Sequence, residues 1–553
     1  MTELTENSIT IPDILQPRPL ERAVNVNVET NILDPVSHNY NIVSGGSTRW
    51  VFPATGILDA PNATINFELV SGDANNAGTD GRLSFPMWSG GLSCFRRATV
   101  RCGGQILSQV TEAGLYATVK SGYNSHDYQQ NVIDVRHCSM NGAIVKTLNA
   151  QPGAVANAGF LAGATPSGVA GFSQVANPNL DQQNIYGCQA EGTVNATVVH
   201  AKQTAKRLRN VALAGQGPEV AIRLSDIFPF FKENQLPLLG MAQVELEIEW
   251  APSVAAATQV QDISANTVVP FNPDLAAATT GLEASFAATP FLSLDYLHYD
   301  DQERQNVMNQ IQKGMTMNFR EVVVTKGINP AQTNVAVNGV VRGTHLIGMA
   351  GKEVQNIYVV KRPNVATQAQ RNQRLNGVPY NRNDQFIQYR SVACRNEKYN
   401  CFINNHKLYN RDVDNAATAY HYLTECENKW ASLPVQYDAM NYNANLNNLL
   451  NNADVLGVPD NTANANGETG RWCPGTKNVI GIPLMKYPKV GSVPGNGLRI
   501  GSAPIEFQFE CEKTLSNPAV PASDTQAQID LTIFIEYRRS MVITPQGVTV
   551  SDL

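Results

Sequence analysis

The sequence predicts an all-β protein in which one antiparallel sandwich unit occurs twice. Residues 244–250 read Val-Glu-Leu-Glu-Ile-Glu-Trp, and residues 505–511 repeat the pattern as Ile-Glu-Phe-Gln-Phe-Glu-Cys. Strand candidates follow one another with little helix between them, which favours antiparallel sheets over a parallel sheet with crossover helices. The 553 residues are only 16% charged and are rich in Asn, Ala, Gly, Val and Thr. This composition is typical of turn-rich β proteins, and the length accommodates two large β domains.

The alternation within residues 244–250 predicts which face of the sheet each side chain occupies. Successive residues of a strand point to opposite faces, so the apolar residues form one row and the glutamates form the other. The core-facing row is Val244, Leu246, Ile248 and Trp250, and the opposite row is Glu245, Glu247 and Glu249. A shift of one residue would bury the carboxylates, so the register is strongly specified. The glutamates are expected to meet solvent or a neighbouring barrel.

The other strands are predicted from short apolar or alternating runs bounded by turn residues. In the first half these are Arg49–Phe52, Ala63–Val70, Leu92–Val100, Gln105–Val110, Thr193–His200, Glu219–Leu224, Val244–Trp250 and Phe291–Tyr299. In the second half they are Thr316–Thr325, Val335–Arg342, Gln355–Lys361, Phe386–Val392, Ile480–Leu484, Ile505–Cys511 and Gln528–Tyr537.

Two helices are predicted among these strands. One begins near Ser108–Thr111, because Val110, Leu115 and Val119 form one stripe at helical spacing. The other covers residues 302–313 and is predicted from its two ends. An acidic residue stands at its N-cap with a glutamate three residues on, and a glycine follows its last residue.

The second helix is predicted to join the two halves of the chain. The expected organisation is an N-terminal arm at 1–45, a first unit at 46–300, a linker helix at 301–315, a second unit at 316–545 and a C-terminal tail at 546–553. Long irregular stretches are expected to be excursions from the ends of the sheets. They are residues 150–180, 251–290 and 440–470.

The charge of the chain narrows the functional class. Its formal net charge is −6, and it lacks the dense Lys and Arg clustering on which nonspecific nucleic-acid binding depends. Two local basic groups are interpreted as solvated loops or strand faces, with a subunit contact or a weak nucleic-acid contact as the alternatives. They are Lys202, Lys206, Arg207 and Arg209, and Arg96, Arg97 and Arg101.

The cysteines and the N-terminal sequence predict where the protein is made. Nine cysteines occur without a Cys-x-x-Cys pair, so they are expected to be reduced, mostly buried thiols of a reducing compartment. The acidic start lacks the apolar region of a signal peptide. No run of 18 apolar residues occurs, so no membrane span is expected.

Two patterns resemble ligand-binding loops but lack a required residue. Residues 470–477 resemble a phosphate-binding loop, yet Thr476 precedes Lys477 where that loop needs the reverse order. They are interpreted as a structural turn. Residues 412–415, Asp-Val-Asp-Asn, resemble the start of a calcium loop, but Ala417 and Leu423 stand where the loop needs Gly and Glu. They are interpreted as a helix cap or surface turn, with an adventitious cation site as the alternative.

The remaining candidate catalytic residues also have a structural interpretation. Asp300 and Glu303 could form a glycosidase pair, but their position favours helix capping. The histidines show no metal-ligand spacing, and no Gly-x-Ser-x-Gly motif supports a hydrolase. The histidines considered were His126, His137, His406 and His421. We therefore assign no catalytic, cofactor-binding or metal-binding residue, and we expect no cofactor.

Four segments resemble double jelly-roll major capsid proteins of tailless icosahedral double-stranded DNA viruses. Residues 220–250 combine a strand, a short aromatic turn, a Leu-Pro-Leu element and a second strand. Residues 294–304 resemble the segment that closes the first jelly roll, where a tyrosine-containing strand meets an acidic helix start. Residues 92–110 and 531–547 look most like the capsid proteins of polinton-like viruses and virophages.

The resemblance implies a fold of two tandem eight-stranded antiparallel jelly rolls with a few short helices and long loop insertions. It implies a structural protein rather than an enzyme, three copies of which form a pseudo-hexameric capsomer of an icosahedral shell around double-stranded DNA. The implied partners are the homotrimer, neighbouring capsomers, and penton and minor capsid or cement proteins, with no specific nucleic-acid site. The implied location is the virion, after synthesis in the host cytoplasm or nucleus.

Two other functional classes remain compatible with tandem sandwiches, because jelly rolls host many functions. One is a lectin-like protein that binds carbohydrate through loop residues. The other is a β-sandwich glycosidase that uses loop carboxylates. The lack of a signal peptide counts against a secreted protein of either kind, and the four segments favour the capsid protein.

Overall fold

Two sandwiches of antiparallel strands follow one another along the chain in the computed structural model. The structure describes residues 26–38, 46–73, 81–84, 89–124, 128, 132–137, 219–233, 235–251, 259–262, 282–329, 340–364, 391, 397–428, 478–485, 497–512 and 528–552.

The first sandwich contains eight main strands in two sheets. The strands are β1 (Val26–Leu33), β2 (Ser47–Phe52), β3 (Thr64–Asp73), β4 (Phe95–Cys102), β5 (Gln105–Thr111), β6 (Glu219–Arg223), β7 (Val244–Trp250) and β8 (Phe291–Tyr299). Sheet 1A has the spatial order β1-β8-β3-β6, and sheet 1B has the order β2-β7-β4-β5.

The second sandwich repeats this arrangement. Its strands are β9 (Met315–Asn329), β10 (Val340–Ile347), β11 (Glu353–Asn364), β12 (Lys398–Ile403), β13 (His406–Lys407), β14 (Ile480–Pro483), β15 (Ile505–Glu512) and β16 (Gln528–Thr544). Sheet 2A has the order β9-β16-β11-β14, and sheet 2B has the order β10-β15-β12-β13. Counted within its own unit, each sandwich therefore has the strand orders 1-8-3-6 and 2-7-4-5. This order is that of a jelly roll, so the predicted all-β fold of two tandem jelly rolls is confirmed.

Short elements connect these strands. The helices are α1 (Ala113–Ser121), α2 (Asp134–His137), α3 (Leu224–Ile227), α4 (Pro229–Glu233), α5 (Asp301–Lys313) and α6 (Ala416–Asn428), and the 3₁₀ turns are Ala60–Asn62, Gly90–Cys94 and Leu238–Gly240. The additional short strands are Ser37–His38, Ile57–Leu58, Gly81–Ser84, Gln259–Asp262, Leu282–Phe286, Leu498–Arg499 and Gly547–Asp552.

The echoed segments occupy the same place in the two rolls. β7 and β15 are each the seventh strand of their unit and lie between the second and fourth strands. Their apolar rows are at most 2% exposed and enter the cores, as predicted. These residues are Val244, Leu246, Ile248 and Trp250 in the first roll, and Ile505, Phe507, Phe509 and Cys511 in the second. The similarity of the two segments therefore reflects an equivalent structural position.

The hairpin between the fourth and fifth strands is also repeated. Gly103 and Gly104 connect β4 to β5 with φ of +55° and +86°, and Asn404 and Asn405 connect β12 to β13 with φ of +51° and +64°. Positive φ at both central residues defines the type I′ turn, whose twist matches that of the flanking strands. Gly and Asn are the residues that adopt this conformation most readily.

Two predicted boundaries differ from the structure. The predicted arm at 1–45 contains β1, which pairs along its whole length with β8 and is the first strand of the first roll. The predicted tail at 546–553 contains Gly547–Asp552, which pairs with the end of β16. Both segments are edge strands with many exposed residues, so their hydrophobic pattern is weak.

Some predicted helices and strands agree with the structure, and others differ from it. The first helix begins at Ala113 rather than near 108–111, because 105–111 form β5 and Glu112, with φ of +53°, separates the two. Helix α5 forms as predicted, and Gly314 follows it with φ of +89°. The segment Leu92–Val100 begins as a 3₁₀ turn and becomes β4 only at Phe95. Strands β12 and β13 and helix α6 were not predicted.

Several predictions fall partly or wholly outside the described residues. The strand Thr193–His200 and the stretches 150–180 and 440–470 lie outside them, as do all of Phe386–Val392 except Ser391 and most of 251–290. The described part of Val335–Arg342 belongs to β10.

Candidate functional site

The eighth strand of the second roll, β16, is buried on both of its faces. Leu531, Ile533 and Ile535 enter the core of the second roll. Phe534 and Glu536 point the opposite way, toward the first roll, and are 0% exposed. A strand buried on both faces lacks alternation, which explains the apolar run at 531–535. The outer face of sheet 2A is therefore the interface between the two rolls.

Apolar side chains of the first roll continue onto this interface. The core of the first roll forms one cluster with Phe319, Tyr358, Val360 and Phe534 of sheet 2A. The aromatic turn within residues 220–250 forms α4, whose Phe230 lies with its ring centroid 4.8 Å from that of Phe319. The core of the first roll thus continues onto the outer face of sheet 2A, whose inner face packs on the separate core of the second roll, and this contact fixes the rolls side by side.

A group of four charged side chains, each at most 14% exposed, lies within the interface, and we call it the junction cluster. It comprises Lys120 from α1, Arg320 from β9, Glu427 from α6 and Glu536 from β16. Lys120 Nζ lies 2.9 Å from Glu536 and also contacts Glu427. Arg320 Nη1 lies 2.9 Å from Glu427 and 3.4 Å from Glu536. Two cations therefore balance two carboxylates, and one of the cations comes from the first roll.

Neutral side chains complete the hydrogen bonding of Glu536. Tyr116 Oη donates to Oε1 at 2.6 Å, and Asn356 Nδ2 donates to Oε2 at 2.9 Å. Lys120 also donates to Tyr358 Oη at 3.2 Å and lies over the Tyr358 ring, 4.9 Å from its centroid. The carboxylate of Glu536 is therefore fully buried but well bonded, as a buried charge requires.

The protonation of the cluster follows from its contacts. Burial by itself raises the pKa of Glu427 and Glu536, but Lys120 and Arg320 outweigh burial and hold both pKa values below the usual range. Burial and the charge of Glu536 raise the pKa of Tyr116 well above its usual value, so Tyr116 remains a hydrogen-bond donor. The carboxylates of Glu427 and Glu536 therefore stay ionised over the physiological pH range.

We expect the junction cluster to select one arrangement of the rolls rather than to add net stability. Desolvating an ion pair costs about as much as the pair gains, so such a cluster adds little net stability. Removing one partner leaves an unpaired buried charge, which is strongly destabilising. Because Lys120 belongs to the first roll and the other three to the second, displacement of the rolls would create that penalty.

A buried carboxyl group, that of Glu321, anchors the edge of sheet 1B. Glu321 of β9 accepts hydrogen bonds from Ser108 Oγ at 3.2 Å and from the Gln109 backbone N–H at 3.1 Å, both in β5. Burial raises the pKa of Glu321 to about 7, against the opposing effects of these bonds and of Arg539. Arg539 also donates to the Leu107 carbonyl at 3.0 Å. These bonds fix β5 against β9.

The predicted glutamate row lies on the outer face of sheet 1B and pairs with arginines on neighbouring strands. The ion pairs are Arg49–Glu245 at 3.6 Å, Arg101–Glu247 at 3.1 Å, Arg96–Glu249 at 3.0 Å and Arg97–Glu249 at 2.8 Å. The basic group at 96–101 is thus a strand face. The second roll has a similar arrangement, in which Arg342 lies 2.6 Å from Glu510.

The residues of the rejected chemical motifs have structural roles. Asp300 accepts from the Glu303 backbone N–H at 2.9 Å and caps α5. Asn415 accepts from the Ala417 N–H at 2.8 Å at the start of α6, and Asp412 accepts from Asn400 at 2.8 Å. The remaining residues are placed as follows: His137 lies 3.5 Å from Asp226, His421 lies 3.4 Å from Glu425, His406 is in β13, and His126 and 470–477 lie outside the described residues.

The described part of the chain also bears on the cysteine and membrane predictions. Its five cysteines are buried, as predicted for these positions: Cys94, Cys102, Cys401, Cys426 and Cys511. Among these residues no group of three or more His, Cys, Asp or Glu side chains could hold a metal ion. Of the helices searched there, none is both long and apolar enough to cross a membrane.

The sequence did not identify the junction cluster. One signal was available, since Glu536 directly follows the apolar run 531–535 and shares its strand. A carboxylate beside such a run is a candidate for burial with a partner. The partners themselves come from three distant segments, and no pattern in the sequence connects these.

Comparison with known proteins identifies the fold. No protein-family model and no curated protein sequence matches the chain. The VP54 protein of PBCV-1, fitted into a reconstruction of the virophage Sputnik, matches with a TM-score of 0.53 and 11% identity over 97% of this chain and 99% of VP54.

Two further solved structures show the same similarity. The structure of the Sputnik virophage matches with a TM-score of 0.50 and 10% identity over 95% of this chain and 88% of the other. The Faustovirus major capsid protein matches with a TM-score of 0.50 and 9% identity over 95% of this chain and 92% of its own. The chain therefore has the fold of the double jelly-roll capsid proteins, as the four sequence segments predicted.

Proposed function

We propose that this chain is a major capsid protein of a tailless icosahedral double-stranded DNA virus, and that three copies form a pseudo-hexameric capsomer. The observation that carries the proposal is the pair of equivalent jelly rolls fixed side by side through sheet 2A. Three such chains supply six similar barrels, and closed symmetry uses one set of surfaces repeatedly. A shell tile needs this rigidity, because its barrels must keep a constant relative orientation.

The chemistry of the described residues supports an architectural role rather than a catalytic one. The charges in the interface between the rolls pair with one another, and the glutamates of sheet 1B pair with arginines. In this part of the chain these groups serve packing and positioning. The alternative is a carbohydrate-binding protein or a glycosidase with the same fold, which glycan binding or glycan hydrolysis would reveal.

The finer features of the proposal concern domains, location and partners. We propose that the rolls correspond to residues 46–300 and 316–545, extended by β1 and by Gly547–Asp552, with α5 as the linker. The protein would reside in the virion after synthesis in the host cytoplasm or nucleus. Its partners would be neighbouring capsomers together with penton and minor capsid or cement proteins.

The assembly state tests the proposal directly. The purified full chain is expected to be a stable trimer in light scattering and to give hexagon-shaped particles in electron micrographs. Each interface should bury well above the ~1,600 Å² that is typical of ordinary complexes. A monodisperse monomer at high concentration would contradict the proposal. Binding on a glycan array, or hydrolysis of a glycan that is lost when one carboxylate is changed, would favour the alternatives.

A further inference from the structure

The outer face of sheet 1A exposes apolar side chains on its edge strand, β1. Val26, Val28 and Ile32 are 38%, 60% and 70% exposed. The register pairs them with Tyr299, Leu297 and Ser293 of β8, so all lie on the side of the sheet opposite Leu292 and Leu294, which are buried in the core. We call the three β1 residues the β1 patch. Exposed apolar residues grouped on an edge strand indicate a contact surface.

The polar residue inside the patch already has a hydrogen-bond partner within the sheet. Thr30 stands between Val28 and Ile32 on the same face, and its hydroxyl donates to Asp295 at 2.7 Å. Covering the patch would therefore leave this pair bonded, and the energetic gain would come from the apolar side chains.

The second roll shows what covers the equivalent face. Sheet 2A has the same strand order as sheet 1A, and its outer face is buried under the first roll. The first roll contacts it through its fifth strand, where Gln109 bonds Glu321, and through the following helix, where Lys120 bonds Glu536. The structure thus contains one contact between rolls. In it, the side of the first roll that carries the fifth strand packs on sheet 2A of the second roll.

We propose that the β1 patch binds the second roll of another copy of this chain, through the side that carries β13. This inference rests on the proposed function, because it assigns a surface within the trimer. The contact between the rolls of one chain would repeat between neighbouring chains, and three copies would close a ring of six rolls. In that ring the outer faces of sheets 1A and 2A are both covered.

A pair of double variants tests the surface. In Val28→Lys/Ile32→Lys, two ammonium groups enter the proposed contact, and the dissociation constant of the trimer should rise at least about a hundredfold, since two buried side chains and the cost of burying charge are involved. The matched control is Val340→Lys/Leu346→Lys. These residues are 50% and 64% exposed on β10, also an edge strand, and lie on the outer face of sheet 2B.

Light scattering and circular dichroism on the full chain separate the outcomes. A folded monomer for the β1 variant together with a trimeric control supports the proposal. If the wild type is a trimer and the β1 variant is equally tight, the proposal is overturned while the proposed function stands. If the wild type is a monomer, the proposed function itself fails.

Hydrogen exchange on the wild type removes any dependence on the folding of the variant. The backbone amides of β1 at 26–33 should exchange more slowly in the trimer than in the chain dissociated by dilution. If β1 gains no protection in an assembled trimer, the proposal that a second copy covers the β1 patch is wrong. The patch would then be available to a different shell protein.

Discussion

Sheets 1A and 2A have the same strand order, but their outer faces differ in how far they are buried. In sheet 2A the residues on this face, such as Phe534 and Glu536, are completely buried. In sheet 1A the corresponding strands keep half-buried residues such as Ser293 and Asp295, and β1 exposes Ile32. A repeated fold therefore does not have repeated surfaces, because the polarity of each face depends on what that face contacts.

The eighth strands record this difference in their sequences. In β8, buried residues alternate with half-buried ones along Phe291–Leu297, which is the pattern of a strand with one covered face. In β16, residues 531–538 are all buried. Two strands with the same place in the topology thus have different burial patterns. The pattern alternates where one face of the strand is covered within the chain and is continuous where both faces are covered.

A charge on the outer face of each eighth strand should give the largest contrast. Phe534→Asp removes a buried ring and leaves an unpaired carboxylate in the interface, so we expect a loss of at least about 4 kcal/mol and failure to fold. Ser293→Asp on the equivalent face of β8 should change the stability of the monomer by less than about 1 kcal/mol. Soluble yield and thermal denaturation would measure both. A normal melting curve for the Phe534 variant would show that the face is not covered.

The next contrast is between a buried and an exposed ion pair across the same interface. Lys120→Met leaves Arg320 as the one described ion-pair partner of Glu536 and Glu427, so we expect a loss of about 3–5 kcal/mol in denaturant unfolding. The control is Lys326→Met, because Lys326 lies 2.7 Å from Glu112 but its side chain is 62% exposed. It should cost less than about 1 kcal/mol.

A second substitution identifies the origin of that loss. In the Lys120→Met background, Arg320 balances one of the two carboxylates, and Glu536→Gln removes the remaining excess negative charge. This change should restore part of the stability, which a double-mutant cycle would measure. Equal losses for Lys120→Met and Lys326→Met would contradict the role assigned to the junction cluster.

Part of this fold could be predicted from the sequence, and part of it could not. The register of β7 and β15 was predictable because a strand between a core and an ion-paired surface alternates strictly. Strand β1 was not, because its apolar residues face outward and an exposed edge strand shows no core-facing pattern. The junction cluster was not predictable either, since its residues are far apart in sequence and each looks like an ordinary surface charge until the rolls are packed.

The pH dependence of stability should reveal the buried Glu321. Its folded-state pKa is raised to about 7, so its contribution to stability is fully present below the unfolded pKa of about 4.5 and is lost as the pH rises through 7. Glu321→Gln keeps an acceptor for Ser108 and cannot ionise. Relative to the wild type, the variant should therefore gain on the order of 3 kcal/mol of stability as the pH rises from 4 to above 7.

The junction cluster contributes a background to this experiment, because the stability contributed by its carboxylates depends on pH in the opposite direction. The pKa values of Glu427 and Glu536 are lowered, so their contribution is present above the unfolded pKa and is lost only as the pH falls through their folded values. Subtracting the stability curve of the Glu321→Gln variant from that of the wild type removes this background. A flat difference between pH 4 and 8 would show that Glu321 is not held in its buried, protonation-sensitive environment.

The smallest effects are expected on the ion-paired faces of sheets 1B and 2B, which the two rolls leave on the outside. Glu247→Gln breaks the 3.1 Å pair with Arg101, and Glu510→Gln breaks the 2.6 Å pair with Arg342. Because the arginine side chains are 38% and 77% exposed, each change should cost less than about 1 kcal/mol, and the cost should shrink further in high salt. Both variants should remain trimers. Dissociation of the Glu247 variant in light scattering would mean that the outer face of sheet 1B is buried between subunits, and the ring of six rolls would then need a different contact from the one within a single chain.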